Sequence, residues 1–348
     1  MLLAIDWILI IEKFVLIVTV VMVSLGIAMY STWAERKVAA VMQDRLGPTR
    51  AGPFGLLQPV ADGIKLFFKE EIIPNTSNKF LFVLGPMLSM MTAMLTGAVI
   101  PWGNKLILFG REISLQIADV NIGILFIFGV VSLGVYGIMI GGWASNNKFS
   151  LMAAMRGASQ MISYELAMGI AIIALLMLTG TLSLKEMVAQ QMNHTWNIVY
   201  QPLGFLIFFI CALAECNRTP FDLPEAENEL NFGYHQEYSS MKLGFYLFAE
   251  YINMFISGVV MATLFFGGYD IPFVNEAAYG NAWWMTLLGV GALFTKAIIF
   301  VLIFMWIRWT IPRFRYDQLM NLGWKALLPL ALLNMLITGA VVLWLNSK

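Results

Sequence analysis

Residues 166–182, LAMGIAIIALLMLTGTL, form an apolar run that contains no charged side chain. With the residues before it, the run extends over about 159–182. An α-helix of about 20 residues crosses roughly 30 Å of hydrocarbon, so this run is long enough to span a bilayer. The whole chain has the same character, because 59% of its 348 residues are hydrophobic and only 12% are charged. Together with a mean hydropathy of +0.77, this composition predicts an integral membrane protein.

Seven further segments are apolar over a similar length. The eight predicted spans cover about residues 8–31, 80–101, 119–142, 159–182, 198–214, 243–268, 284–307 and 326–346. The span at 198–214 is the shortest, and Pro202 stands where a first helical turn tolerates proline. The first run lacks a basic region and carries Asp6 and Glu12, so we interpret it as a retained span rather than a cleavable signal. We predict an all-α polytopic membrane protein with one transmembrane domain over residues 1–348.

The distribution of basic residues predicts the orientation of these spans. The connections 34–79, 141–158, 215–242 and 308–325 contain 15 Lys and Arg, whereas those on the other side contain 4. The positive-inside rule therefore puts the first set in the cytoplasm or matrix and both termini on the outer, periplasmic side. Residues 34–79 and 215–242 are the two long cytoplasmic loops.

The remaining composition excludes several functions. The net charge is zero, which gives no indication of a nucleic-acid partner. The two cysteines and two histidines match no disulfide or metal-binding framework. We therefore predict that the chain binds no metal, and that any electron carriers belong to other subunits.

The first cytoplasmic loop contains a predicted amphipathic helix. At 100° per residue, one face of this segment is apolar and the opposite face is charged. The apolar face carries Leu56, Leu57, Val60, Ile64, Phe67 and Phe68, and the charged face carries Asp62, Lys65 and Lys69. The helix is too short to span, which favours a position in the membrane interface. It covers the bundle, lines a substrate cavity, or does both.

A few ionisable residues interrupt the apolar spans. Charges at bilayer depth cost on the order of 3 kcal/mol or more each, so they indicate functional sites unless they reach the interface. Glu165 precedes the run quoted above, Glu250 lies in the sixth span, and Lys296 lies in the seventh. Glu12 and Lys13 lie near the outer end of the first span, where interfacial placement explains them.

The loop after the fifth span has an unusual excess of acids. Six carboxylates occur in ECNRTPFDLPEAENELNFGYHQEY, residues 215–238, and Arg218 is the only basic residue. Asp222 before Pro224 predicts the N-cap of a helix. Crowded carboxylates in a low dielectric do not all ionise, so some are expected to hold protons near neutral pH. The interleaved aromatic residues indicate packing at the membrane boundary rather than a solvated loop, and the calcium-loop pattern is absent.

Four long segments, all on the predicted cytoplasmic side, resemble a known family. They are AERKVAAVMQDRLGPTRAGPFGLLQPVADGIKLFFKE (34–70), WASNNKFSLMAAMRGASQMISYE (143–165), AECNRTPFDLPEAENELNFGYHQEYSSMK (214–242) and RWTIPRFRYDQLMNLGWKALLPL (308–330). They are similar to the membrane-embedded H subunit of NADH-quinone oxidoreductase (respiratory complex I), called subunit 1 in mitochondria. The chain departs from that family in two places: Cys216 replaces the usual Thr, and residues 231–232 (Asn-Phe) replace a small pair.

The resemblance implies a function at the junction of the hydrophilic and membrane arms. In that family this subunit forms most of a quinone chamber, and the last iron–sulfur cluster is held by a neighbouring subunit. The resemblance implies ubiquinone or menaquinone as substrate, with no flavin, haem or iron–sulfur cluster on this chain. Its implied partners are the subunit with that cluster, the quinone-site subunit, and the adjacent small and antiporter-like membrane subunits. The expected location is the bacterial inner membrane or the mitochondrial inner membrane.

The same resemblance implies roles for individual residues. The chamber-lining positions are Arg36, Arg45, Asp62 and Lys65. The acidic path to the pump subunits is Glu165, Glu215 and Glu250. The acidic loop beside the chamber carries Asp222, Glu225, Glu227 and Glu229, with Arg218 as their counter-charge.

Two alternatives remain open from the sequence. One is the related membrane subunit of an energy-converting hydrogenase, which shares parts of the first loop. The other is an ion-coupled secondary transporter, although such folds usually show paired repeats and broken helices, and neither is visible here.

Overall fold

The computed structural model of the chain describes residues 7–108, 111–225, 227–272, 274 and 283–347. Its α-helices are α1 (Trp7–Met42), α2 (Gln58–Phe68), α3 (Lys79–Leu95), α4 (Gly123–Ala144), α5 (Lys148–Thr179), α6 (Leu184–Asn193), α7 (Asn197–Tyr200), α8 (Pro202–Glu215), α9 (Glu227–Leu230), α10 (Ser240–Phe265), α11 (Trp283–Thr310), α12 (Tyr316–Asn321) and α13 (Leu328–Asn346). A π-helical segment, Leu322–Leu327, joins α12 to α13. Short 3₁₀ turns occur at Pro53–Gly55, Thr96–Ala98 and Gly233–His235. Strands β1 (Lys105–Leu108) and β2 (Arg111–Ser114) form an antiparallel hairpin.

Seven helical segments in the described part of the chain are long and apolar enough to cross a membrane. They are Trp7–Met42, Lys79–Ala98, Gly123–Ala144, Lys148–Thr179, Ser240–Phe265, Trp283–Thr310 and Tyr316–Leu345. The all-α polytopic fold predicted from hydropathy is therefore confirmed. Several helices continue beyond the apolar run that predicted them. In particular, α1 extends to Met42 and so carries Glu35 and Arg36 as helical residues.

The predicted span at 198–214 is the exception. It is represented by α7 and by α8, an apolar helix of 14 residues, which is shorter than a full crossing requires. Asn197 donates to the carbonyl of Leu264, near the end of α10, at 2.8 Å. The thiol of Cys216 lies only 3.4 Å from the hydroxyl of Ser257, which is about 12 Å before the end of α10 at 1.5 Å per residue. Thus α8 ends inside the bundle.

The acidic loop, Cys216–Ser239, occupies the part of the bundle that α8 leaves open. Its apolar residues are buried, including Phe221, Leu223, Leu230, Tyr234 and Tyr238. The loop therefore packs as the aromatic residues predicted, although within the bundle rather than at its boundary. Non-helical backbone at such depth is tolerated where protein surrounds it.

The connections lie at two ends of the bundle. At one end, which we call the basic end, Arg156 pairs with Glu229 and Lys242 pairs with Glu71. These contacts join the three connections 34–79, 141–158 and 215–242, and Arg313 joins the fourth through Asp222. At the opposite end, which we call the hairpin end, the connections around β1, β2, α6 and α7 contact one another, for example through Lys185 and Asp119.

The ends of α5 show how local sequence sets these boundaries. Asn147 caps the helix, since its side chain accepts a hydrogen bond from the amide of Phe149 at 3.0 Å. Gly180 has φ +68° and closes the helix in the left-handed conformation that glycine adopts readily. Glu165 therefore lies near the middle of a 32-residue helix rather than at its start.

Candidate functional site

The guanidinium of Arg218 is the centre of the candidate site. Its Nη1 lies 3.8 Å from a carboxylate oxygen of Glu35 on α1, and its Nη2 lies 3.8 Å from one of Glu250 on α10. The guanidinium stands 4.2 Å from the centre of the Tyr251 ring. Burial disfavours the charged form, but Tyr251 and the two carboxylates outweigh this effect, so the pKa of Arg218 is raised above its ordinary value. A permanent positive charge therefore joins α1, α10 and the acidic loop.

Glu35 has three partners in this cluster, namely Arg218, Arg308 and Tyr251. One oxygen lies 2.6 Å from Nη1 of Arg308 on α11, and the other accepts a hydrogen bond from the Tyr251 hydroxyl at 2.7 Å. Its side chain is buried. A buried charge is tolerated only when it is paired and hydrogen-bonded, and Glu35 meets both conditions.

Glu225 and Glu250 form a carboxyl pair beside Arg218. Their side chains share a hydrogen bond, and Glu250 also accepts one from the Tyr234 hydroxyl at 3.0 Å. Two carboxyl groups in such contact require one proton between them. Burial raises the pKa of Glu225, but the charge on His235, the hydrogen bond from Glu250 and the charge on Arg218 together lower it below its ordinary value.

Asp222 lies on the other side of the acidic loop, where it binds Arg313 at 2.7 Å. Burial and the negative charge of Glu225 raise the pKa of Asp222 to about 7, against the lowering effects of Arg313, Arg308 and Arg218. Its carboxyl therefore exchanges a proton near neutral pH. The prediction that Asp222 caps a helix is wrong, because α9 begins at Glu227 and the carboxylate is taken up by an arginine from the connection after α11.

The remaining acids of the loop lie apart from this cluster. Glu229 is more exposed and pairs with Arg156 at 2.7 Å. Glu237 accepts a hydrogen bond from Asn147 at 2.7 Å. Glu227 begins α9, and its side chain is outside the described part of the structure. Asp222, Glu225, Glu229 and Glu237 thus have different partners, and Arg218 is not the counter-charge for all of them.

Glu215 faces a cavity inside the bundle. The cavity has a volume of about 70 Å³, which is several times the roughly 15 Å³ that one water molecule requires. Glu215 and Glu250 both line it, together with polar side chains such as Asn253 and Ser257. Within the described part of the chain, neither buried oxygen of Glu215 has a hydrogen-bond partner. The cavity therefore offers space for water between the two carboxyl groups.

Glu165 lies beyond Glu215 on the outer face of the bundle. Its carboxylate accepts a hydrogen bond from Ser132 on α4, and its charge interacts with that of Glu215. It also lines an apolar groove between α4 and α5. The three acids of the predicted path therefore follow one another from Glu250 to Glu215 to Glu165.

A second, larger cavity lies between α1, α2 and α10, with a volume of about 270 Å³. Arg36, Asp62 and Lys65 line it, and Arg36 pairs with Asp62 at 2.8 Å. Three of the four predicted chamber residues are thus brought together. Arg45 is not among the lining residues, and its guanidinium contacts Gln43 at 2.7 Å.

The amphipathic helix α2 turns its charged face toward this cavity. Its apolar face points away from the bundle, and Phe67 and Phe68 are 68% and 86% exposed. This arrangement fits a helix in the membrane interface that also roofs a cavity, so the two interpretations of the segment are compatible.

Lys296, the deepest basic residue of the predicted spans, makes contacts that stabilise the fold. Its ammonium group donates to the carbonyls of Phe266, Gly268 and Asp270 at 2.7, 2.9 and 2.6 Å. It also lies 4.7 Å from the centre of the Trp196 ring. It therefore caps the end of α10 at the hairpin end, far from the acidic loop.

Comparison with known proteins agrees with this arrangement. A family model described as NADH dehydrogenase matches residues 14–339. The chain is 65% identical to an NADH-quinone oxidoreductase H subunit of Cytophaga hutchinsonii, over 95% of this chain and 97% of that protein. It is 64% identical to the H subunit of Flavobacterium johnsoniae, over 96% of each, and 48% identical to that of Thermomicrobium roseum, over 97% and 98%. The chain belongs to the H-subunit family of NADH-quinone oxidoreductase. The resemblance drawn from the four segments is confirmed.

Four residues of the site were missed by the interpretation of the sequence. Glu35 and Tyr251 contact Arg218, and Arg313 contacts Asp222. Arg308 contacts Glu35. Glu35 and Arg308 lie inside the segments that carry the resemblance, next to Arg36 and at the end of the seventh apolar run. The sequence did contain a signal for both residues. Glu35 is a charge directly beside a predicted chamber residue, and Arg308 is a charge at the end of a span. Among the described residues, no group of three or more His, Cys, Asp and Glu is placed to hold a metal ion.

Proposed function

We propose that the chain forms the quinone-binding chamber of a proton-pumping NADH-quinone oxidoreductase and couples quinone reduction to proton translocation. The cavity between α1, α2 and α10 holds the quinone head and the first part of its tail. Arg36 and Lys65 supply positive charge at the cavity wall, and α2 presents apolar side chains to the membrane from which a quinone enters.

The observation that carries the proposal is the position of Tyr251. Its side chain lines the 270 Å³ cavity, and its hydroxyl donates to Glu35 of the carboxylate network. Glu35 and Arg36 are neighbours on α1, yet Arg36 lines the cavity while Glu35 joins Arg218 and Arg308. One wall therefore separates a substrate cavity from a buried network of exchangeable protons.

The reduction of a quinone requires protons, which the network behind this wall would supply. Two electrons convert a quinone to a quinol only when two protons are also added. Removing protons from carboxyl groups near the cavity changes the charge around Arg218, and the network is reprotonated through Glu250, Glu215 and Glu165. Asp222, Glu225, Glu227 and Glu229 form the proton reserve of the loop, and the protonation change is the coupling event.

The proposal also specifies partners and orientation. Electrons arrive from an iron–sulfur cluster on a neighbouring hydrophilic subunit, and this chain binds no flavin, haem or cluster. The basic end faces the cytoplasm or matrix, where the quinone-site subunit docks, and both termini lie on the outer side. Small and antiporter-like membrane subunits continue the path beyond Glu165.

The test replaces Glu225 and Glu250 by Gln, singly and together, in the assembled complex. We expect quinone reduction and proton pumping to fall at least tenfold, because Gln has the shape of a protonated Glu but exchanges no proton. Glu112→Gln, an exposed acid of the hairpin that pairs with Lys105, is the matched control. Unchanged rates and pumping stoichiometry in both single variants and the double variant would refute the proposal.

A further inference from the structure

His235 is a buried titratable residue that the proposed path does not use. Its side chain is 1% exposed and belongs to the 3₁₀ turn Gly233–His235 of the acidic loop. The imidazole is held edge-to-face against Phe232, at 4.3 Å between ring centres, and against Tyr234, at 4.7 Å. Two aromatic rings thus fix its orientation and limit its contact with water.

The turn that carries His235 packs directly on Glu225. Gly233 has φ +74°, and a Cβ at this position would lie 3.0 Å from Cα of Glu225 and closer still to the carbonyl of Pro224. Only glycine allows this approach. The contact brings the imidazole close to Glu225, and the charge on His235 acts with that on Arg218 to lower the pKa of this carboxyl.

We propose that His235 is a positioning residue for proton transfer, whose charge decides whether the proton shared by Glu225 and Glu250 resides on one carboxyl or the other. This inference rests on the proposed function. With a charged imidazole, Glu225 is ionised and the proton lies on Glu250. When the imidazole gives its proton to water, Glu225 loses this counter-charge. Arg218 then favours an ionised Glu250, so the shared proton crosses the hydrogen bond to Glu225.

Other charged groups surround the imidazole and set the background field. The sequence of α4, which packs on the turn, contains no charged residue. The charged side chains that the structure describes on the remaining elements are Arg218, Asp222, Glu225, Glu229 and Glu237 of the loop, Lys148, Arg156 and Glu165 of α5, Lys242 and Glu250 of α10, and Arg308. The two arginines beside Glu35 are always charged, so the imidazole is the counter-charge of Glu225 that changes near neutral pH.

The test is a pH profile of quinone reduction by the assembled complex, with His235→Gln and His194→Gln as a matched pair. These are the two histidines of the chain, and His194 is exposed at the hairpin end. We expect the wild type and His194→Gln to share an inflection between about pH 5 and 8, where imidazole titrates. His235→Gln should lose the part of the inflection that the imidazole contributes, leaving only that of Asp222, and adding Glu225→Gln to His235→Gln should change the shape of the profile no further. A profile of His235→Gln identical to that of His194→Gln would overturn the inference.

A second variant covers the case in which His235→Gln does not assemble. Phe232→Ala removes one ring from the imidazole and leaves every charged group in place. Greater hydration favours the charged imidazole, so the inflection should move up by about half a pH unit or more. No shift would also overturn the inference. If Glu225→Gln, Glu250→Gln and the double variant all leave activity unchanged, the proposed function fails. If these variants lose activity while His235→Gln matches His194→Gln, only the role of His235 fails.

Discussion

Replacing Tyr251 by Phe removes a single hydroxyl from the wall between the cavity and the carboxylate network. The hydroxyl donates to Glu35 at 2.7 Å. A hydrogen bond to a charged acceptor contributes about 1.5–3 kcal/mol, and each 1.4 kcal/mol added to a barrier slows a reaction about tenfold. If this bond lies on the proton route, quinone reduction should slow by roughly 10- to 100-fold.

The rest of the network should survive this change. Glu35 keeps its ion pair with Arg308, and the ring of Tyr251 remains beneath the guanidinium of Arg218. We therefore expect the complex to assemble, with a stability loss of no more than about 2 kcal/mol. Phe at this position also preserves the apolar wall of the cavity, so the KM for quinone should change much less than kcat.

The matched control is Tyr238→Phe in the acidic loop. The Tyr238 hydroxyl donates to the carbonyl of Gly141 at 3.3 Å, which makes it a hydrogen bond of packing rather than of the network. The assay is NADH-driven quinone reduction with simultaneous proton pumping in membrane vesicles, with NADH oxidation by an artificial acceptor as the assembly check. Activity of Tyr251→Phe within twofold of Tyr238→Phe would refute the assignment of Tyr251 to the proton route.

Three further predictions follow from individual contacts. Burial raises the pKa of Asp222 from 3.8 to about 7, so the stability that its protonated form contributes is complete below about pH 4 and is lost as the pH rises from there to about 7. The thermal midpoint of the wild type should fall relative to that of Asp222→Asn between about pH 4 and 7, and parallel curves would contradict this. Lys296→Met should lower stability by about 3 kcal/mol or more, measured by thermal unfolding, because three carbonyls lose their donor, while the pH profile of the assembled complex stays unchanged. Arg36→Gln should raise the KM for quinone several-fold yet cost less than about 1 kcal/mol of stability, because its pair with Asp62 is half exposed; an unchanged KM would remove Arg36 from the chamber.

Hydropathy predicted the bundle because most of its helices face lipid along part of their length. Most of the uncharged run 166–182 lies within α5, which ends at Thr179 with Gly180 in the left-handed conformation. The first eleven residues of α5, which precede the predicted boundary, are helical and include the charged residues Lys148 and Arg156. Asn147 is the N-cap at this position and could have indicated where the helix begins. Hydropathy identifies only the apolar part of a helix, so it does not show that the helix continues beyond the apolar run.

Hydropathy could not predict that α8 is too short to cross the membrane. The run 198–214 is apolar because α5, α10 and α13 surround it, and burial in protein requires the same residue types as burial in lipid. Similarly, Glu35 on α1 pairs with Arg308 on α11, and the sequence around either residue does not indicate which residue it will pair with. The sequence indicated which residues are chemically important but not which arginine each carboxylate meets.

The short α8 explains why the charges of the site meet at all. A helix continuing through the bundle would satisfy its own backbone and fill the space with apolar side chains. Because α8 stops at Glu215, the carbonyls of Ala214 and Phe221 need other donors, and the side-chain amide of Gln160 on α5 supplies both at 2.8 and 2.7 Å. The loop held in this way carries Arg218 to a position between α1 and α10. In this chain, therefore, the interrupted helix is what allows a buried arginine to connect the wall of the cavity with the acidic path.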